Sequence, residues 1–371
     1  MKKILLLTDV AFWEKNAGHC VRILQLVRTL SVNTRLTIAF LERSSIDEAT
    51  LAATLHCEMI IPERHRPLRP AQYAQLLRKR LRQTSFDCCI VEFIHCSFYL
   101  DCLPAATHTI LDIHDILCER KASFEHYDNY DQHPDSLTKE IEWATYDLYD
   151  HLMVLCETDR RLLGADFPAE RLLLCPHPAR VTPKMIRPDV RNIGFVGSAW
   201  LPNKDGIEQF LLECWPELAR RHPVNLTIYG TVANRLISRN WRPRVQITGF
   251  VEDTPSIYDS CDLMINPVRF GAGLKIKNIE AMAYGLPLVT TTHGARGLEK
   301  AIDHALCIAD DPAVWVSVLS DLIEDATARI AFSHNATRFI AENYSEEVCF
   351  GPLLNLISSL PQPIPCPATL P

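Results

Sequence analysis

No apolar run in the 371-residue chain approaches the roughly 18 residues a helix needs to cross a bilayer, so no transmembrane helix is expected. The apolar stretch Ile4–Leu7 is cut at once by Thr8 and Asp9, too early for the hydrophobic core of a signal peptide. Fourteen cysteines are present, yet they are scattered and none forms a Cys-x-x-Cys pair, which argues against a disulfide framework and for a reduced, cytoplasmic compartment. Excess positive charge is also missing. Basic and acidic residues number 22 and 25 in residues 1–185, and 16 and 20 in the remainder, for a net charge of −7. A nucleic-acid partner is therefore excluded for the chain as a whole. There is no repeat of fixed period and no Asp-x-Asp metal signature. What is present is 47% apolar and 8% aromatic residues, enough for two well-packed domains.

Apolar runs and helical spacing alternate along the chain. Strands are expected at 3–9, 35–41, 57–61, 87–93, 109–113 and 151–155, with helices at 18–30, 70–83 and 137–150. A proline-rich passage from Cys175 through Pro188 reads as a linker. A second series follows, with strands at 192–196, 225–229, 245–248, 263–266, 288–291 and 305–308. Continuous apolar strands separated by helices imply parallel sheets covered on both faces. Residues 1–180 and 187–345 are thus expected to form two doubly wound α/β domains, followed by a segment and proline-rich tail at 346–371. Ligands bind such sheets at the C-terminal strand ends, so the loops there carry the function.

The stretch from Asn266 to Thr290 holds the most chemistry. Gly271 and Gly273 allow close backbone approach; a helix is expected from about Leu274 to a stop at Gly285. Amides at that helix start, with Lys275 and Lys277, suit a diphosphate, because lysines at a helix N-terminus are unfavourable unless an anion lies there. Glu280 suits the two hydroxyls of a ribose. Phosphates plus a ribose mean a nucleotide.

These residues resemble the retaining glycosyltransferases of family 4, whose fold is GT-B: two Rossmann-like domains facing across a cleft. Lys277 to Val289 matches the family's K-x-x-E-A-M-A-x-G-x-P-x-V motif, Gly194–Gly197 and Pro202–Gly206 match the opening of its second domain, and Asp112-Ile-His114-Asp115 matches its His-Asp after a strand. Where many members carry Glu-x7-Glu, Ala272 replaces the first glutamate, and Ser198 follows Gly197 in place of the usual arginine.

The resemblance implies a nucleotide-diphosphate sugar as donor, no metal and no separate cofactor, and transfer with retained configuration to a glycan, lipid-linked or small-molecule acceptor, in bacterial surface polysaccharide or glycoconjugate synthesis. It assigns His114 to the donor sugar as the catalytic residue, Lys275, Lys277 and Lys204 to the diphosphate, Glu280 to the ribose, and Gly18, Gly271 and Gly273 to close approach. His19, beside Gly18, is a first-turn residue with a weaker claim. Two other readings share the nucleotide cradle: an epimerase or hydrolase on the same fold, and a non-catalytic nucleotide-sugar-binding relic. Residues 64–82 carry seven basic side chains and no acid, a candidate contact with anionic lipid at the inner membrane face.

Overall fold

The computed structural model describes residues 1–15, 17–41, 48–61, 70–81, 84–104, 106–127, 137–236, 241 and 243–361. Among these, β1 (Lys3–Thr8), β2 (Arg35–Phe40), β3 (Glu58–Ile60), β4 (Cys88–Glu92), β5 (His108–Ile113), β6 (His151–Val154) and β7 (Leu172–Leu174) form one parallel sheet in the order β3-β2-β1-β4-β5-β6-β7. A second parallel sheet contains β8 (Asn192–Val196), β9 (Asn225–Tyr229), β10 (Val245–Gly249), β11 (Leu263–Asn266), β12 (Leu288–Thr290) and β13 (Cys307–Ile308), ordered β10-β9-β8-β11-β12-β13. Each sheet reverses its winding beside its first strand, and such a switch point opens a crevice at the strand C-termini.

The unbroken apolar strands are explained by two-sided burial. Ile4 and Leu6 pack with Cys88 and Ile90 on one face of the first sheet, while Leu5 and Leu7 pack with Cys89 and Val91 on the other. The second sheet repeats this, with Leu263, Ile265 and Val289 on one face and Met264 and Leu288 on the other. Of the fourteen cysteines, the thirteen in described regions are all unpaired thiols, mostly buried among these apolar side chains.

Two points differ from the sequence reading. The helix expected over 137–150 is Lys139–Tyr146, because Arg171 takes the carbonyls of Tyr146 and Tyr149 and turns the chain early. β7 was not anticipated: its three leucines run straight into the prolines that follow. The segment after 345 packs against both domains. Its helix Glu346–Ser359 places Cys349 in the second-domain core and Phe350, Leu353 and Ile357 in that of the first.

Arg64, Arg66, Arg69 and Arg82 of the basic stretch 64–82 lie outside the described residues; Arg78, Lys79 and Arg80 end the helix Pro70–Leu81. No described helix is long and apolar enough to cross a membrane.

Candidate functional site

A cavity of about 470 Å³ lies between the facing strand ends of the two sheets. Its lining includes Gly18, His114, Gly271, Gly273, Lys275, Lys277 and Glu280. These residues come from three separate stretches of sequence and converge on one space.

On the second-domain side, the loop after β11 passes through Gly271 (φ +110°) and Gly273 (φ +70°) before the helix Ile276–Ala283. A Cβ on Gly273 would lie 2.8 Å from the carbonyl oxygen of His114, so only glycine lets this loop press against the first domain. Lys275 donates to the carbonyls of Ala272 and Gly273, each at 2.9 Å. Desolvation, reinforced by Arg296, lowers its ammonium pKa to about 8. Lys277 donates to Asn203 Oδ1 at 2.6 Å and sits 4.6 Å above the Phe195 ring. Desolvation, then the charge of Lys275, lowers Lys277 to about 7. Two amines that no described carboxylate pairs, brought to one interdomain cavity, form a site that an anion would complete.

Glu280 does not pair with Lys277, one turn away on the same helix. It accepts from the Tyr258 hydroxyl at 2.7 Å, and burial raises its pKa. Lys204 is the exception among the expected residues. It forms an ion pair with Glu208 at 3.0 Å and does not line the cavity; its neighbour Asn203 does, by turning inward to hold Lys277. Lys204 is thus not among the expected residues that the structure brings to the cavity.

On the first-domain side, His114 follows β5 and bonds Glu92 through Nε2 at 2.7 Å. Phe93 stacks on the imidazole with ring centres 4.0 Å apart and planes 15° apart. Phe93 itself has φ +67°, a conformation that a bulky side chain adopts only when its surroundings enforce it. Behind His114 the Arg22 guanidinium pairs with Asp112 at 3.0 Å. His19 lines the cavity edge-on to Phe93, and desolvation together with His114 pushes its pKa down to about 4.

Glu92 and Arg22 escaped the sequence reading, which quoted Asp112 only as part of the motif around His114. A signal existed: Glu92 ends an otherwise apolar strand, and a charge there requires a partner.

Two sets of side chains bring three potential metal ligands within 4.8 Å of one another: Asp9, His95 and Cys96, and Glu92, Asp112 and His114. In the second, the Arg22 guanidinium already occupies the cation's place beside Asp112. In the first, His95 is bonded to Asp9 at 2.7 Å.

The domains meet around the cavity. The Gly271 amide donates to Ser123 at 2.9 Å, Arg296 pairs with Asp159 at 2.5 Å, and Thr158 donates to Glu299 at 2.8 Å.

Residues 190–325 match the family model described as Glycosyl transferases group 1. The chain is 29% identical over 171 residues to an "Uncharacterized 44.6 kDa protein in cps region" of Klebsiella pneumoniae, covering 43% of this chain and 44% of that protein. It is 25% identical over 209 residues to an "Uncharacterized glycosyltransferase" of Haemophilus influenzae, covering 53% and 58%. The chain thus spans about half the length of the curated relatives it matches.

Among solved structures, S. aureus TarM superposes with a TM-score of 0.75 at 12% identity, over 97% of this chain and 99% of that one. Anabaena Alr3699/HepE in complex with UDP and glucose superposes at 0.71 and 16%, over 97% and 100%. The fold is that of the GT-B glycosyltransferases, and the second domain carries the group 1 match.

Proposed function

We propose that this protein is a retaining glycosyltransferase that moves a sugar from a nucleotide diphosphate to a glycan, lipid-linked or small-molecule acceptor. The observation that carries this reading is the convergence of His114, Lys275, Lys277 and Glu280, with Gly18, Gly271 and Gly273, on one interdomain cavity. The likeness to a structure holding UDP and glucose makes UDP the first base to test. A relative from a cps region favours surface polysaccharide synthesis as the setting.

In this reading Glu280, already fixed by Tyr258, takes the ribose hydroxyls, and the amines of Lys275 and Lys277 take the diphosphate. The bond between the anomeric carbon and the β-phosphate oxygen breaks, and its electron pair stays on that oxygen. The acceptor hydroxyl oxygen bonds to the anomeric carbon from the face the phosphate leaves, and its proton passes to the departing phosphate. Lysine charge preorganised around the phosphate stabilises the growing negative charge, a role that needs neither a metal nor a protein base. Glycine contacts between the loop after β11 and His114 bring the domains together and exclude water from the reacting carbon.

The test is turnover of UDP-, GDP-, dTDP- and ADP-sugars by the full chain, with and without sugar acceptors. Transfer or slow hydrolysis of one donor, lost in His114→Ala and Glu280→Ala, is expected. Nucleotide binding without turnover of any donor would favour the relic reading, and isomerisation of the donor sugar would favour the epimerase.

A further inference from the structure

We propose that a second interdomain cavity, separate from the one His114 lines, binds a neutral saccharide, and that its occupancy and nucleotide binding strengthen each other. The saccharide site stands without any glycosyl transfer; the coupling rests on the nucleotide reading of the first cavity.

The second cavity measures about 530 Å³, within the roughly 300–1,000 Å³ of small-molecule sites. No residue lines both spaces. The loop after β11 divides them: Phe270 to Lys275 line the first, whereas Arg269 lines the second. The first-domain wall is Ser123, His126 and Tyr127, from the end of the helix Leu117–His126. The opposite wall follows the C-terminal ends of β11, β12 and β13, with Arg269, Thr292, His293 and Asp310. Two contacts close the partition. The Gly271 amide donates to Ser123 at 2.9 Å, and Tyr127 stacks on Phe270 with ring centres 5.0 Å apart. A ligand in the second cavity therefore lies outside the reacting space.

Charge selects the class of ligand. Arg269 spends Nε and Nη2 on Asp205 at 3.0 and 2.8 Å, so its charge is already balanced. The Asp310 carboxylate accepts from the amide and hydroxyl of Thr292 at 2.8 and 2.6 Å, and it would repel a phosphate or carboxylate ligand. A cationic ligand would meet Arg269 and the field of Lys275 and Arg296. Burial, joined by those two charges, lowers the His293 pKa to about 4. An apolar ligand finds little carbon surface, because Phe270 stacks on the Tyr127 ring and the Arg269 guanidinium lies 5.4 Å from its centre. An uncharged ligand rich in hydroxyls remains.

The polar atoms suit such a ligand. The neutral His293 imidazole has its Nε2 buried without a hydrogen-bond partner among the described residues, and a buried polar atom calls for one. The Ser123 hydroxyl, which accepts from Gly271, keeps its own hydrogen to donate. Asp310 has further lone pairs to accept. Donors and acceptors thus share one space, as sugar hydroxyls require, since each of them both donates and accepts.

Because the two walls belong to different domains, a ligand between them favours the closed arrangement. A nucleotide held between Gly18 and Lys277 favours the same arrangement, so each ligand raises the affinity of the other.

The test is saturation-transfer NMR of the full chain with the methyl glycosides of glucose, galactose, mannose, rhamnose and N-acetylglucosamine, each with and without UDP. At least one glycoside is expected to bind the wild type and His114→Ala alike. The double variant His126→Ala/Asp310→Ala removes two exposed side chains and should weaken that binding by about 10-fold or more. Saturating UDP should tighten it by about 5-fold or more.

Binding of no glycoside, binding that the double variant leaves unchanged, or displacement of the glycoside by UDP would overturn the site. UDP that binds without changing glycoside affinity would overturn the coupling. If UDP does not bind but the double variant still abolishes glycoside binding, the nucleotide reading fails and the saccharide site stands.

Discussion

The Lys277 ammonium nitrogen lies 2.6 Å from Asn203 Oδ1 although Glu280, one turn along the same helix, would offer a full negative charge. The amide orients the lysine without neutralising it, and Tyr258 holds Glu280 aside. Charge is thereby kept available for a ligand. Lys277→Ala is expected to weaken nucleoside diphosphate binding by about 10- to 100-fold, the equivalent of a charge-assisted hydrogen bond worth about 1.5–3 kcal/mol. Asn203→Asp, which supplies the missing carboxylate, should weaken it at least as much. Isothermal titration of both variants checks this, with Lys204→Ala as a control that leaves affinity unchanged because Lys204 is paired with Glu208 outside the cavity.

The depressed lysine pKa values give a pH dependence of defined sign. Free Lys277 titrates near 7 and Lys275 near 8, and a bound diphosphate raises both. Binding at pH 8 should therefore take up about 1.4 protons per bound diphosphate, about 0.9 at Lys277 and about 0.5 at Lys275. Calorimetry in buffers of different ionisation enthalpy reads this directly. The unliganded protein follows the same linkage: from about pH 7 to the ordinary lysine range the unfolded chain holds more protons at these positions. The two lysines thus contribute a stability increment that rises with pH across that window.

Gly273 and Gly18 should respond differently to alanine. At Gly273 the added Cβ meets the His114 carbonyl at 2.8 Å and the backbone has φ +70°. A cost of about 1–2 kcal/mol from the left-handed conformation is expected, together with a displaced loop and loss of turnover. At Gly18 the nearest atom is the terminal methyl of Ile276 at 3.4 Å, so Gly18→Ala should fold with its melting temperature nearly unchanged. Thermal unfolding of the two variants makes the comparison.

Asp159 is 1% exposed and its ion pair with Arg296 joins the two domains. Its second oxygen has no partner, so Arg296→Ala strands a buried carboxylate. We expect the closed arrangement to lose about 3 kcal/mol, the low end for a broken buried pair because Arg296 is 17% exposed. Small-angle scattering should show a more open molecule, and raising the salt concentration should change the variant less than the wild type.

The second-domain side of the cavity was legible in sequence because its residues are contiguous: Gly271 to Glu280 spans one loop and one helix, and their spacing carries the geometry. The two parallel sheets followed from apolar runs alternating with helices. The cluster behind His114 was not legible, since Arg22, Glu92 and Asp112 come from three distant segments and meet only when β4 and β5 pair. Lys204 stands apart from the cavity for a local reason. Adjacent positions on a helix point about 100° apart, so the chain turns Asn203 inward and Lys204 toward Glu208.

The most direct test of the account is titration of the wild type, Lys277→Ala and Glu280→Ala with UDP, GDP, dTDP and ADP. It predicts that one diphosphate binds the wild type with an affinity that both substitutions reduce by about 10-fold or more. Failure of all four to bind, or binding that neither substitution weakens, would contradict it.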